Sequence, residues 1–300
     1  MNVERILTDE RAAVEAALRR LMPPDGATPD RLRRGMAHAV FAGGKRVRPI
    51  LARLAHRAAG GDPDTVTEAA CGLELIHTYS LVHDDLPALD DDVLRRGQPT
   101  VHVAFDEATA ILVGDALLTE GLLFLARYPQ GIEYSQYRAE AVEAVAEAIS
   151  ARGMIGGQVE DLEATGQLNS GAADPGQRLD RIHRHKTGCL LRVSVEVGAI
   201  LAGAAGSVRR NFAAYGESLG LAFQVSDDIL DATATDETLG KTAGKDEAVG
   251  KLTYVTLYGL DSARDRLAEL ERTATEQARD LEGADGALAA IAQFVCQRQS

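Results

Sequence analysis

Five of the nine residues from Asp84 to Asp92 are aspartates, in a chain whose formal charge is already −13. Like charges this close repel, and nothing offsets the repulsion unless a cation sits among them. A solvated acidic face is the commonest meaning of such a run. Here, however, the carboxylates are flanked by Leu81, Val82, Leu86 and Leu89, as an acidic edge on a buried element would be. A second set, Gln224, Asp227, Asp228 and Asp231, falls at i, i+3, i+4 and i+7, so all four share one helix face. In the first set His77 and Asp84 are seven apart and nearly aligned, with Ser80 between them. Pro87 forces a bend that brings Asp90 back towards Asp84. Sites built only of carboxylates suit hard, oxygen-seeking Mg2+ rather than zinc.

Cations accompany these acids. The stretch FAGGKRVRPIL, 41–51, puts Gly43 and Gly44 before a helix start, with Pro49 suited to its first turn. Lys45 and Arg48 lie on one side of it, near free backbone N–H groups that favour an anion. An ordinary glycine turn accounts for Gly43, Gly44 and Pro49, but not for three cations crowding the same place. Arg95 and Arg96 directly follow the first acidic run, where they could also serve as salt-bridge partners of Asp90–Asp92. Lys186-Thr187-Gly188 stands mid-helix, where glycine costs about 1 kcal/mol against alanine, so a close approach or a local unwinding is expected. Lys241 and Lys251 lie in a polar, glycine-bearing segment of about twenty residues, long enough for a lid. A diphosphate of about −3 facing bare carboxylates at ~5 Å is opposed by about 3 kcal/mol per unit pair, even at an effective dielectric near 20. The aspartates therefore cannot bind it directly. Mg2+ between them reverses the sign, and the lysines and arginines complete the cage.

Helices must position these groups. Apolar periodicity places them near 3–22, 30–42, 48–59, 64–86, 106–127, 136–152, 154–165, 178–204, 208–233, 253–282 and 285–298. Strand signals are nearly absent, and neither a disordered linker nor a fixed-period repeat divides the chain. The expected fold class is all-α: a single domain over 1–300, one large helical bundle around a central cavity that both acidic helix ends face. With 45% hydrophobic and 26% charged residues the chain reads as soluble and globular. Its acidic balance excludes a general binder of nucleic acid or anionic membrane. The charged, amphipathic start MNVERILTDERAAVEAAL is unlike a signal peptide, and no unbroken apolar run approaches the ~18 residues of a membrane span. A cytoplasmic location without stable membrane insertion is expected. Cys71, Cys189 and Cys296 are odd in number and far apart, which fits small core residues in a reducing compartment.

Taken in order, GGKRVRP, HDDLPALDDDVLRRG, HKTG, FQVSDDILD and LGK resemble the trans-isoprenyl diphosphate synthases, or polyprenyl synthetases, above all the bacterial farnesyl diphosphate synthases. The resemblance covers nearly the whole chain, and the ordered set is specific where each motif alone is not. It implies the isoprenoid synthase fold, a homodimer and three Mg2+ ions with substrate bound. Asp84, Asp90 and Asp227 match the metal ligands, with Asp85, Asp228 and Asp231 in support. Lys45, Arg48, His77 and Arg96 match the isopentenyl diphosphate site. Arg95, Lys186 and Lys241 match the grip on the allylic diphosphate, while Thr187 and Gln224 would offer oxygen dipoles to a developing carbocation. Lys186, Thr187, Gln224 and Arg95 make up the implied catalytic set. Gln158 and Asp161, in GGQVEDL, line the same cavity or else a helix surface. Val255 departs from the family, which often has proline after TY.

The implied reaction is Mg2+-dependent ionisation of dimethylallyl or geranyl diphosphate, attack by isopentenyl diphosphate, and proton loss in a site closed to water. Tyr79, five residues before Asp84 and so ~7.5 Å lower on a helix, is read as the floor under the growing chain, with small Ser80 beside it. That favours farnesyl diphosphate, with geranylgeranyl diphosphate the alternative; Tyr79 as a plain core residue is the bland one. Three rivals remain. His83-Asp84 matches the signature of HD-type metal phosphohydrolases, but these need more histidines than His77 and His102 supply. A terpene cyclase has no use for GGKRVRP or His77. A non-catalytic synthase subunit should have lost a motif, and none is lost.

Overall fold

The computed structural model describes residues 2–22, 26, 28–168, 174–233, 252–283 and 286–297. Its helices are α1 (Val3–Leu21), α2 (Asp30–Val40), α3 (Val47–Ala58), α4 (Thr67–Asp84), α5 (Val101–Ala104), α6 (Glu107–Arg127) and α7 (Ser135–Ile149). They continue with α8 (Met154–Ala164), α9 (Pro175–Ile182), α10 (Cys189–Leu201), α11 (Gly206–Thr233), α12 (Tyr254–Tyr258), α13 (Leu260–Glu282) and α14 (Ala287–Gln297). Helix starts follow their caps. Asp106 accepts from the Thr109 N–H at 2.7 Å, and Asp174 from the Gln177 N–H at 2.9 Å with Pro175 in the first turn.

Besides the short α5 and a 3₁₀ turn at Ile132–Tyr134, neither of them expected, four elements differ from the periodicity. The helix expected over 64–86 opens with a 3₁₀ turn, Pro63–Val66, and stops at Asp84. The one expected over 253–282 is broken at Gly259, whose φ of +85° ends α12 before α13 begins. The stretch 178–204 is interrupted by six residues, His183–Gly188, wound as a π-helix. A hairpin between α4 and α5 was not foreseen at all: β1 (Leu94–Arg95) pairs antiparallel with β2 (Gln98–Pro99) across Arg96 (φ +54°) and Gly97 (φ +76°). Two-residue strands are too short to show an alternating pattern.

Packing divides the interior into apolar clusters, the two largest of which share α10. One joins α1, α2, α4, α6, α7 and α10 through residues such as Val14, Met36, Leu73, Ile76, Leu117 and Val145. Another joins α3, α10, α11, α13 and α14 through Ile50, Leu54, Leu191, Phe212, Tyr215 and Leu288. A smaller one sits under α12, around Ala222, Val225 and Leu270. Helix α4 is buried almost all round and packs most extensively on α6. By length and composition α6 could cross a membrane, alone among the helices of the described residues; it carries Asp115 and Glu120 and buries Val113, Leu117 and Leu125 in the core. This packing brings the ends of α4 and α11 to one place. Arg48, at the start of α3, is within electrostatic reach of Glu74 on α4 and Asp227 on α11, and Lys186 is within reach of Asp84.

Candidate active site

Helix α4 delivers the first acidic run and ends at Asp84. The chain then turns through Pro87, and the Asp90 N–H donates to the Asp84 carbonyl at 2.8 Å. Burial pushes the Asp84 carboxyl up to about 7; Lys186 and Arg95 pull it down, while Asp90 and Asp85 add to the rise. A carboxyl enclosed in this way gains most from a cation placed beside it. Its neighbour Asp85 has a different surrounding. It is 4% exposed and accepts from Arg95 Nε at 2.5 Å, and Arg95 also reaches Asp92 at 3.3 Å. The Asp85 carboxylate thus ties the hairpin to the end of α4.

The turn before α3 supplies the opposite charge. Gly43 (φ +100°) and Gly44 (φ +134°) adopt backbone conformations that other residues rarely take. The Arg96 guanidinium lies where a Gly44 side chain would be, and donates to the Gly43 carbonyl. Arg46 has a left-handed backbone too, at φ +53°, and turns inward. Fully buried, it donates to Glu15 and Glu74 at 2.7 Å each and to the Val40 carbonyl at 2.6 Å. Of the three cations crowding the turn, it is a structural bracket. Arg48 is different: its Nε is enclosed and has no hydrogen-bond partner. Desolvation lowers its pKa to about 10, against Glu74 and Asp227 and with help from Arg96. Still charged at neutral pH, it holds an enclosed, unmet N–H suited to an anion. His77 is held well below the ordinary histidine value, first by burial and then by Arg48, Arg96, Arg95 and Arg46. It is a neutral imidazole among guanidinium groups.

The π segment carries Lys186 and Thr187 into the same region. Gly157 of α8 crosses it so closely that a side chain there would overlap the Lys186 backbone nitrogen. Lys186 forms an ion pair with Asp161, which is 7% exposed, so Asp161 belongs to the interior and not to a helix surface. One turn earlier, Gln158 Nε2 is enclosed and unpartnered. Gln224, Asp227, Asp228 and Asp231 are half-buried on α11. Asp228 Oδ2 accepts the Tyr254 N–H at 2.6 Å and lies 3.3 Å from His183 Nε2, joining α11 to α12 and to the π segment.

Among the described residues no three His, Cys, Asp or Glu side chains are grouped to hold an ion by themselves. Mg2+ suits such an arrangement, since it takes one or two carboxylates and completes its shell with water and substrate phosphate. The donors Asp84 and Asp90 at one end, and Asp227 at the other, are of that kind.

A polyprenyl synthetase profile matches residues 29–290. The chain belongs to the polyprenyl synthetase family. It is 40% identical over 299 residues to farnesyl diphosphate synthase of Geobacillus stearothermophilus, covering 99% of this chain and 98% of that protein. Identity to a chloroplastic geranylgeranyl pyrophosphate synthase of Capsicum annuum is 41% over 273 residues, or 91% of this chain and 73% of that one. An FPP/GFPP synthase of Zymomonas mobilis superposes with a TM-score of 0.83 at 33% identity, over 98% of this chain and 99% of its own. This polyprenyl synthetase is a short-chain trans-prenyl transferase with an all-α fold, from a family whose members generally depend on Mg2+. The phosphohydrolase and non-catalytic readings fall with that finding.

Within the synthetase, the assigned residues fall into three neighbouring groups. Lys45, Arg48, His77 and Arg96 gather around the turn before α3. Asp85, Asp90, Arg95 and Lys186 lie around Asp84 at the end of α4, Thr187 follows Lys186 in the π segment, and Gln224, Asp227, Asp228 and Asp231 follow along α11. Lys241 lies outside the described residues. Three contacts escaped the sequence. His183 gave no signal beyond one histidine in a charged helix. The inward turn of Arg46 depends on a left-handed backbone. The hairpin, finally, sends adjacent arginines apart, Arg95 to Asp85 and Arg96 to Gly43.

Proposed function

We propose that this polyprenyl synthetase condenses isopentenyl diphosphate with dimethylallyl or geranyl diphosphate to give farnesyl diphosphate. The observation that carries the reading is Arg48, a cation whose enclosed Nε has no hydrogen-bond partner, within electrostatic reach of neutral His77 and of Asp227 on α11. Lys45, Arg48, His77 and Arg96 hold the isopentenyl diphosphate. Arg95, Lys186 and Lys241 hold the allylic diphosphate. Asp84, Asp90 and Asp227, with Asp85, Asp228 and Asp231 in support, would hold three Mg2+ ions, which would supply neutralising charge for the departing diphosphate.

The chain's own groups do the rest. Lys186 and Arg95 stabilise charge as the allylic C–O bond breaks. The Thr187 hydroxyl and the Gln224 amide oxygen face the developing cation, and the enclosing helices keep water from it. The isopentenyl double bond then forms the new C–C bond, and the resulting tertiary cation loses a proton to the released diphosphate. Tyr79, 6% exposed on α4, stops growth at fifteen carbons. The farnesyl diphosphate synthase relative supports that product, while the geranylgeranyl relatives point to the longer one. The whole chain acts as one catalytic domain in the cytoplasm, without stable membrane insertion. It pairs as a homodimer, for which Ile111 and Leu112 offer exposed apolar surface on α6.

The test is an incubation of the purified protein with Mg2+, isopentenyl diphosphate and each of dimethylallyl, geranyl and farnesyl diphosphate, followed by sizing of the products. Fifteen carbons should dominate. Twenty as the main product would overturn the assigned length, and no condensation with any starter would overturn the whole reading.

A further inference from the structure

We propose that His83 is the positioning residue of the product-length floor, bracing the Tyr79 ring against helix α6. The inference rests on the reading of Tyr79 as that floor and adds what keeps the ring still. His83 is the half of the His83-Asp84 pair for which the assigned chemistry has no use. Its Nε2 lies 3.1 Å from the Ile111 carbonyl of α6. A carbonyl only accepts, so Nε2 carries the hydrogen and is committed to the helix backbone.

The same imidazole meets the Tyr79 ring edge-on, with centroids 5.7 Å apart and planes at 86°, an arrangement that aromatic pairs favour. The two residues are one helical turn apart, and so on one face of α4. Behind the imidazole there is no slack. It fills the space beside Gly114, where a side chain on that glycine would overlap it. Tyr79 is therefore held edge-on by His83, and His83 by the backbone of α6 at Ile111 and Gly114. For the Tyr79 ring to swing aside it has to part from the edge-on imidazole, or draw that imidazole off the Ile111 carbonyl. Without the imidazole the tyrosine has a void to swing into, and the shaft below it opens.

Gly114 makes the idea testable from the opposite side. Alanine suits a helix interior better than glycine, yet its methyl group would take the imidazole's place, the three atoms nearest to it all belonging to His83. His83→Ala, Gly114→Ala, His83→Gln and Tyr79→Ala would be assayed with geranyl diphosphate and isopentenyl diphosphate. The readouts are the ratio of twenty-carbon to fifteen-carbon product, the kcat/KM of the first condensation, and helical content by circular dichroism. His83→Ala and Gly114→Ala are expected to raise the ratio by about tenfold, the scale of one lost aromatic pair, while the first condensation stays near the wild-type value. His83→Gln keeps a donor for the Ile111 carbonyl and should retain most of the wild-type ratio. A raised ratio in Tyr79→Ala with unchanged ratios in folded His83→Ala and Gly114→Ala would overturn the role of His83 alone. An unchanged ratio in Tyr79→Ala would remove the floor itself, and the inference with it.

Discussion

His77 shows how a single side chain can report its surroundings. Enclosed among four guanidinium groups, it keeps a folded-state pKa well below the 6.5 it has when exposed. As pH falls through 6.5 the unfolded chain takes up a proton that the folded chain refuses, so stability is present above that value and lost below it. The loss approaches about 1.4 kcal/mol per pH unit until the folded pKa is reached. Denaturant unfolding at pH 7.5, 6 and 5 should therefore give a shallower acid decline for His77→Gln than for wild type; equal slopes would place His77 outside the cation cluster. Arg48→Ala should raise the apparent KM for isopentenyl diphosphate by roughly ten- to a hundredfold, the scale of a lost charge-assisted hydrogen bond, and leave the allylic KM nearly unchanged. Steady-state kinetics with each substrate varied separately would show it. Chemistry made Asp84, Arg48 and His77 legible in the sequence, because few other jobs call for those types at those spacings. Arg46 and Asp85 were not legible in the same way. Whether a cation or carboxylate in such a motif faces inward as a bracket depends on a left-handed backbone or a hairpin that composition does not announce.

Between α9 and α10 the chain gives up regular winding over six residues, and those residues carry Lys186 and Thr187. Gly157 of α8 is what lets the two backbones meet there. A methyl group on it would overlap the Lys186 backbone nitrogen, and an overpacked crossing of this kind costs on the order of 1–3 kcal/mol. Gly157→Ala should therefore fold with normal helical content but turn over at least tenfold more slowly, a result that kinetics and circular dichroism would check together. Amphipathic periodicity found nearly every helix, because each must bury an apolar stripe. It missed the boundaries set by one residue's backbone, as at Gly259, and it missed β1 and β2, where length erased the pattern. The mid-helix glycine at 188 did predict unwinding, and the six-residue π segment is the form it takes.

At the scale of the molecule, the proposed site makes the two acidic helix ends one unit, and they should fail as one. Asp84→Ala and Asp227→Ala are each expected to lower turnover by orders of magnitude without loss of helicity, and excess chelator should do the same to wild type. Full activity in either variant would break the link between the ends of α4 and α11. The sequence disclosed this convergence only indirectly, through two Asp-Asp pairs in an already acidic chain. Charge balance spoke to partners, whereas the route of the helices between the pairs had to come from packing. Arg46 adds a consequence for engineering. Its guanidinium is claimed from two directions, by Glu15 on α1 and Glu74 on α4, so the turn bearing Lys45 and Arg48 is not a portable loop. Grafted onto another helical scaffold without both glutamates, it would strand a buried charge and collapse, however faithfully its own seven residues were copied. The turn is a module of three helices, and any transplant has to carry all of them.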